Sequence, residues 1–235
     1  MEYVLQILLQ TWHIVLILAI LSYLIGSINP AIVFTKMVLH KDIRTMGSQN
    51  AGFTNVLRCV GKGPAIMTFV FDFVKGIFTS FMGSIVMSAV LADIATDVAG
   101  YEFVRYSALI CGFFTILGHM FPIFFKFKGG KGVTTAIAVI LVTDVRVFIC
   151  VLMAFLICFM ITRIISLSSI VGSITYPVST FVFLKYITNV EMPTHYVAIC
   201  TVFAVLICAM IIIKHKSNIV RILNGTEKKI EPKQK

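Results

Sequence analysis

The chain carries little charge for its length: 13% of its 235 residues are Asp, Glu, Lys or Arg, against 59% hydrophobic. A soluble domain holds about 25% charged residues and about half apolar ones. A water-soluble globule of this size cannot cover so much apolar surface. A typical cytosolic enzyme, a disulfide-built secreted domain and a disordered chain are therefore excluded together. Acidic groups are the scarcest, 10 against 20 Lys and Arg, for a formal net charge of +10. In a soluble protein that excess would raise nucleic acid as a partner. Here it asks which side of a bilayer the charge occupies, and no nucleic acid is expected.

Cysteine chemistry is also missing. Cys111, Cys150, Cys158, Cys200 and Cys208 lie inside apolar runs and only Cys59 in a polar stretch, with no CxxC and no Cys/His ligand spacing. They read as small buried hydrophobes. The N-terminus has no basic leader region, and its first apolar run ends without an A-x-A site, so that run is expected to stay as a membrane helix.

What the chain does have is apolar length. A hydrocarbon core of about 30 Å needs about 20 apolar residues per helix, and runs at 12–34, 65–91, 104–126, 169–187 and 195–213 meet this. Between Val133 and Ile161 the apolar stretch is interrupted at Thr143-Asp144-Val145-Arg146, leaving two short helices at 133–143 and 147–161. The fold class is thus an all-α integral membrane protein of about seven transmembrane helices, or five if the short pair does not cross. One polytopic domain over 1–226 is expected, followed by a polar tail at 227–235.

Charge placement orients it. With seven crossings, one set of loops plus the C-terminus collects 16 basic groups against Asp42, Glu227 and Glu231. The opposite side holds Arg105, Arg146 and Lys185 against Glu2, Asp93, Asp97, Glu102, Asp144 and Glu191. The positive-inside rule puts the N-terminus outside and the C-terminus in the cytoplasm. Five crossings keep the same parity.

Inside a span, Asp72 and Lys75 stand three residues apart on one helix face and are expected to pair, orienting the helix, rather than to face substrate. The richer polar chemistry lies in three segments that the topology assigns to the cytoplasm. The first, Asp42 to Arg58, is full of Gly, Ser, Thr and Asn and ends in a guanidinium; it suits an anionic oxygen cluster or is simply a solvated loop. The second is Gly118-His119-Met120-Phe121-Pro122 followed by Phe127-Lys128-Gly129-Gly130-Lys131-Gly132-Val133. Glycines and lysines there precede a helix start, where free N–H groups and the dipole favour phosphate. It is not a Walker A motif, since Gly132 follows the Gly-Lys. The third is spread over Thr162 to Ser169 and His215 to Arg221. Each of its groups has an ordinary reading as well: serines bond back to their own helix, and a histidine complements a helix end.

Several chemistries lack their residues. No His is followed five positions on by Asp, there is no GxSxG or HExxH, and no acidic cluster stands ready for Mg²⁺ or Ca²⁺. A cationic, metal-free phosphate site at the inner bilayer surface remains, with an organic-phosphate transporter or channel as the alternative.

At these residues the sequence resembles the bacterial acyl-phosphate:glycerol-3-phosphate acyltransferases, the PlsY family. The likeness runs from Gly26-Ser27-Ile28 to Glu227 and includes Asp42-Ile43-Arg44, the Gly47-to-Arg58 loop, Gly-His-x-Phe-Pro, Lys-Gly-Gly-Lys-Gly-Val, Ser166 to Ile170, and His215-x-x-Asn218-Ile219-x-Arg221. Gln49 stands where the family often has Gly, and Phe53 where it often has Ala.

The resemblance implies transfer of a fatty acyl group from acyl phosphate to glycerol 3-phosphate. This occurs at the bacterial inner membrane with the active site facing the cytoplasm. Beyond the lipid bilayer and the two substrates no partner is implied: no cofactor, no CoA, no acyl carrier protein, and a monomer is expected. Ser48, Arg58, Lys131 and the serines at 166–169, Ser166 first among them, are expected to hold the acyl-phosphate phosphate, with His215 and Asn218 positioning glycerol 3-phosphate. Asn50, Thr54, Asn55, Lys128, Gly129, Gly130, Gly132 and Ser169 are expected as further binding residues, the three glycines through their N–H groups. Either His215 or the leaving phosphate serves as base.

Overall fold

The computed structural model describes residues 2–92, 98–188 and 192–230. Asp93, Asp97, Glu191, Glu231, Lys233 and Lys235, all part of the charge balance, lie outside them. Every regular element among the described residues is helical. The helices are α1 (Glu2–Ser27), α2 (Pro30–Leu39), α3 (Phe53–Cys59), α4 (Lys62–Leu91), α5 (Val98–Met120), α6 (Val133–Thr143), α7 (Val145–Thr162), α8 (Ile165–Val182), α9 (Thr194–Lys214) and α10 (Lys216–Leu223). Among the described residues, six segments are long and apolar enough to cross a membrane: Leu5–Leu39, Lys62–Leu91, Gly100–Phe125, Val145–Thr162, Ile165–Ile187 and Thr194–Lys214. Val133–Thr143 is a shorter apolar helix. The chain divides into two units, Met1–Thr143 and Asp144–Lys235.

The helix ends follow local chemistry. The first span breaks near its end because Asn29 caps the next helix, its Oδ1 accepting from the Ile32 N–H at 3.1 Å, and Pro30 sits at the first helical position. The second short helix is longer than the 147–161 expected, and the physical reason is Asp144. Its carboxylate accepts from the N–H groups of Arg146 and Val147 and also holds the Arg146 guanidinium at 2.7 Å. Only Asp144 leaves the helical path, so Val145 and Arg146 join the helix. The helix ends at Arg163 in the left-handed region, φ 59°. The Ile165–Ile187 span closes in a π-helical turn, Phe183–Ile187, after Pro177 inside α8.

In the first unit α5 packs against α1, α4 and α6, and small residues let the backbones approach. A Cβ on Gly26 would collide with the Thr115 carbonyl, and one on Gly118 with the Tyr23 carbonyl. The Thr115 hydroxyl donates to the Thr79 hydroxyl (2.7 Å) and lies 3.2 Å from the Ser22 carbonyl. In the second unit α8 packs between α7 and α9, and α10 packs on α8 and α9. Large apolar side chains such as Leu9, Phe78, Ile161 and Ile213 stay on the outside of the helices, as a lipid solvent requires. All six cysteines are free thiols; Cys111, Cys200 and Cys208 are buried as expected, whereas Cys59, Cys150 and Cys158 are only partly buried.

The α1–α5 crossing generates a direct test. Gly118→Leu overpacks it and should lower thermal stability in detergent by the equivalent of about 1–3 kcal/mol. An unchanged melting temperature would contradict the close approach.

Candidate active site

The 42–58 loop is not a solvated connection. Ile43, Ala51 and Val56 are fully buried and pack with Ala31, Ile32 and Ala65 into a small apolar core. Over this core the loop is pinned by Asn55, which is 1% exposed. Its Nδ2 donates to the carbonyls of Ile43 (3.2 Å) and Met46 (3.0 Å), and its Oδ1 accepts from the Ser48 N–H (2.9 Å). Asn55 therefore departs from its expected role as a substrate ligand: its polar atoms are engaged in shaping the turn that presents Ser48. Ser48 and Arg58 are exposed, while Asn50 and Thr54 are half-buried. Gln49, in place of the family's frequent Gly, sits at φ 59°, a left-handed position that glycine adopts without strain.

Arg44 joins this loop to the glycine turn. Its Nη1 donates to the carbonyls of Phe125 (2.7 Å) and Lys128 (3.1 Å), while its Nη2 pairs with Asp42 at 2.7 Å. The Arg44 side chain's hydrogen bonds hold the Asp42 carboxyl below the usual carboxylate range. Arg44 is part of the sequence motif, but nothing in its spacing shows which carbonyls it reaches.

In the turn itself the expectation for two glycines changes. The Gly129 N–H donates to the Met120 carbonyl (3.3 Å) and the Gly130 N–H to the His119 carbonyl (3.1 Å), so neither is offered outward to a ligand. These residues are glycine because the turn lies against α5: a Cβ on Gly129 would strike the His119 carbonyl, and one on Gly130 the imidazole Nε2. Gly132, at φ 78°, leads directly into α6. The first N–H groups of α6 have no partner within the helix, and Lys131, half-buried, stands immediately before them. Lys128 is exposed.

Beneath the turn, Asp72 and Lys75 do pair, at 2.7 Å, and His119 joins them with Nδ1 3.0 Å from the same carboxylate oxygen. The i to i+3 spacing makes the pair readable in the sequence. The third member, 44 residues beyond Lys75, is not.

In the second unit the organising group is Glu227, the first residue of the stretch read as a polar tail. It accepts from the Ser166 hydroxyl (2.7 Å), Asn218 Nδ2 (2.6 Å) and Arg221 Nε (2.6 Å). Burial pushes its carboxyl up, but these three donors prevail and hold it below the usual glutamate range. Of the serines at 166–169, only Ser166 reaches outside its helix; Ser168 and Ser169 donate to the carbonyls of Ile164 and Ile165. Ser169 is therefore tied to its own helix rather than extended to a ligand. His215, 2% exposed, has Nδ1 2.8 Å from the Ile211 carbonyl. That oxygen can only accept, so Nδ1 carries the proton and Nε2 is the basic nitrogen of the neutral ring. Among the described residues no three His, Cys, Asp or Glu side chains gather as a metal would require.

The Glu227 cluster carries a pH signature. A carboxyl depressed on folding adds stability that is complete above the ordinary glutamate range and is lost as pH falls below it. Glu227→Gln should therefore melt below the native protein at neutral pH, and the gap should close as the pH is lowered through and below that range. A gap independent of pH would contradict the ionic arrangement.

A model of the glycerol-3-phosphate acyltransferase family matches residues 16–225. A glycerol-3-phosphate acyltransferase of Thermoanaerobacter sp. is 34% identical over 215 residues, covering 92% of this chain and 95% of its own. One from Clostridioides difficile is 35% identical over 219 residues, covering 93% and 97%. Among solved structures, PlsY (YgiH), an integral membrane glycerol 3-phosphate acyltransferase, is similar in its glycerol 3-phosphate form with a TM-score of 0.74 and 33% identity, over 92% of this chain and 96% of that one. Its lysophosphatidic acid form gives a TM-score of 0.69 and 32% identity, over 92% and 95%. With the helical membrane fold and the motif residues in place, the chain belongs to the PlsY family of integral membrane glycerol-3-phosphate acyltransferases.

Proposed function

We propose that the protein transfers a fatty acyl group from acyl phosphate to the 1-hydroxyl of glycerol 3-phosphate, forming 1-acylglycerol 3-phosphate and inorganic phosphate. It does so as a single polytopic chain of the bacterial inner membrane, with N-terminus outside and C-terminus inside. The 42–58 loop and the 128–132 turn then face the cytoplasm. Neither CoA nor acyl carrier protein takes part. The observation that carries the reading is the joining, by Arg44, of a hydroxyl- and amide-rich loop to a Gly-Lys-Gly turn at the start of α6. Such an arrangement offers cationic and N–H donors to phosphate. The glycerol 3-phosphate and lysophosphatidic acid forms of the structural relative supply the acceptor and product classes. The transporter reading gives way to the family's acyltransferase activity.

Acyl phosphate is a mixed anhydride, so the donor arrives activated and little covalent chemistry falls to the protein. The acceptor oxygen attacks the acyl carbonyl carbon, the new ester C–O bond forms, and the bond to the phosphate oxygen breaks. The departing phosphate takes the hydroxyl proton. In the first unit Ser48, Arg58 and Lys131 bind phosphate oxygens and stabilise charge that grows on the leaving group, with Asn50, Thr54 and Lys128 around them. Gly132 and the first N–H groups of α6 take the acceptor phosphate. In the second unit His215 and Asn218 position glycerol 3-phosphate, with Ser166 holding the Glu227 carboxylate that Asn218 also meets, and His215, anchored through Nδ1, orients the acceptor rather than taking its proton.

Purified protein in nanodiscs, given palmitoyl phosphate and labelled glycerol 3-phosphate, should release phosphate and labelled lipid in equal amounts. Lys131→Ala should lower kcat/KM by roughly 100-fold or more without reducing accumulation. Product from acyl-CoA but not from acyl phosphate would overturn the donor, and near-normal turnover of the variant would overturn the role of Lys131.

A further inference from the structure

The buried cluster at Asp72 has no part in binding or chemistry as described, yet it is expensive to keep. The side chains of Asp72, Lys75 and His119 are 3%, 8% and 4% exposed, within helices that cross lipid. Apolar residues of similar volume commonly hold helices together as well as a buried ion pair does. The retention of charge therefore calls for something that charge does and packing does not: it fixes one geometry.

We propose that His119, Asp72 and Lys75 form a chain of positioning residues that sets the Gly129–Lys131 turn, and with it Lys131 for the donor phosphate and the start of α6 for the phosphate of glycerol 3-phosphate. The proposal rests on the functional reading above and extends it to residues that never touch substrate. The ammonium group of Lys75 has three N–H donors and stands within reach of four polar atoms: the carbonyls of Gly26 (3.1 Å) and Ile28 (3.0 Å), the Asp72 carboxylate (2.7 Å) and His119 Nδ1 (3.1 Å). Lys75 is thus anchored to the end of α1 and the break after it. A carboxylate oxygen can only accept, so the 3.0 Å contact between His119 Nδ1 and Asp72 is made by a proton on the histidine, which leaves the three oxygens as the Lys75 acceptors. The ring orientation is then locked from below.

Its other edge meets the turn. The space a Cβ on Gly130 would need is filled by His119 Nε2, with Cε1 close behind. The same histidine's carbonyl accepts the Gly130 N–H at 3.1 Å, and the next carbonyl, of Met120, accepts from Gly129 at 3.3 Å. His119 therefore supports the turn twice, through its main chain and through its ring, and Lys131 is the next residue along. Removing the ring leaves the helix hydrogen bonds in place but takes away the floor under Gly130. A displacement of about an ångström at a positioning site is enough to change rates by roughly 100-fold.

The test separates positioning from mere stability. With the native protein, His119→Ala, His119→Asn and Asp72→Asn purified in nanodiscs, KM is measured for each substrate, and glycerol 3-phosphate binding is measured by calorimetry without donor. His119→Ala and Asp72→Asn should raise KM for both glycerol 3-phosphate and acyl phosphate roughly 10- to 100-fold, since the start of α6 and Lys131 move with the turn. His119→Asn, which can still place an amide donor toward Asp72, should recover part of the loss. Binding of glycerol 3-phosphate should weaken in step with KM. Unchanged KM values with only a lower melting temperature would overturn the proposal. Failure of both His119→Ala and Asp72→Asn to accumulate would place the cluster in folding alone and overturn it too. A native protein that binds glycerol 3-phosphate but makes no lipid would instead defeat the functional reading, and the calorimetric comparison would still decide the role of His119.

Discussion

In lipid no water is at hand to satisfy a carboxylate, so a carboxylate that survives there must gather its own donors. Asp72 does this with Lys75 and His119, and through Lys75 it reaches two main-chain carbonyls at the end of α1. Three helices and the turn before α6 are tied to that one group. Away from the spans, Glu227 plays the same part in the second unit, drawing in Ser166, Asn218 and Arg221. A buried acid is a liability when alone and a precise organiser when every lone pair is met. The two units share this device, applied once inside a bundle of spans and once at the end of a chain.

Around these two anchors the polar residues divide by what they do. Asn55, Arg44, Gly129 and Gly130 build shape: their donors and acceptors are engaged with main chain or neighbouring side chains. In the proposed chemistry Ser48, Arg58, Lys131 and the start of α6 are what that shape presents. The distinction follows from hydrogen-bond accounting rather than from residue type, since asparagine and glycine in a phosphate-binding loop suit either role. An activated acyl donor makes such a division reasonable. What the reaction needs is orientation and charge stabilisation, and both depend on rigid support.

Much of this is legible in the sequence because lipid imposes a simple rule on composition. Long apolar runs, the short helix at 133–143 and the Asp72–Lys75 pair all follow from length, hydropathy and helical spacing. Boundaries are read less well where one side chain decides them. Asp144 reads as part of a polar break, but as a cap it lengthens the helix that follows. Glu227 reads as the start of a frayed tail because its neighbours are Lys and Glu. Its role depends on Ser166, 61 residues away, and no local pattern carries that. His119 is visible as a motif residue, yet its partner lies on another helix. Contacts distant in sequence are set by packing, and a single sequence records them only as unexplained residues.

In the proposed reaction the acyl group passes directly from donor to acceptor, with no acyl-protein stage. Intact mass spectrometry of the purified protein, held with palmitoyl phosphate and no glycerol 3-phosphate, addresses it most directly when phosphate release is followed in the same sample. Direct transfer predicts an unmodified mass and no burst of phosphate until the acceptor is added. One palmitoyl group on the chain, matched by one phosphate released per chain, would contradict it.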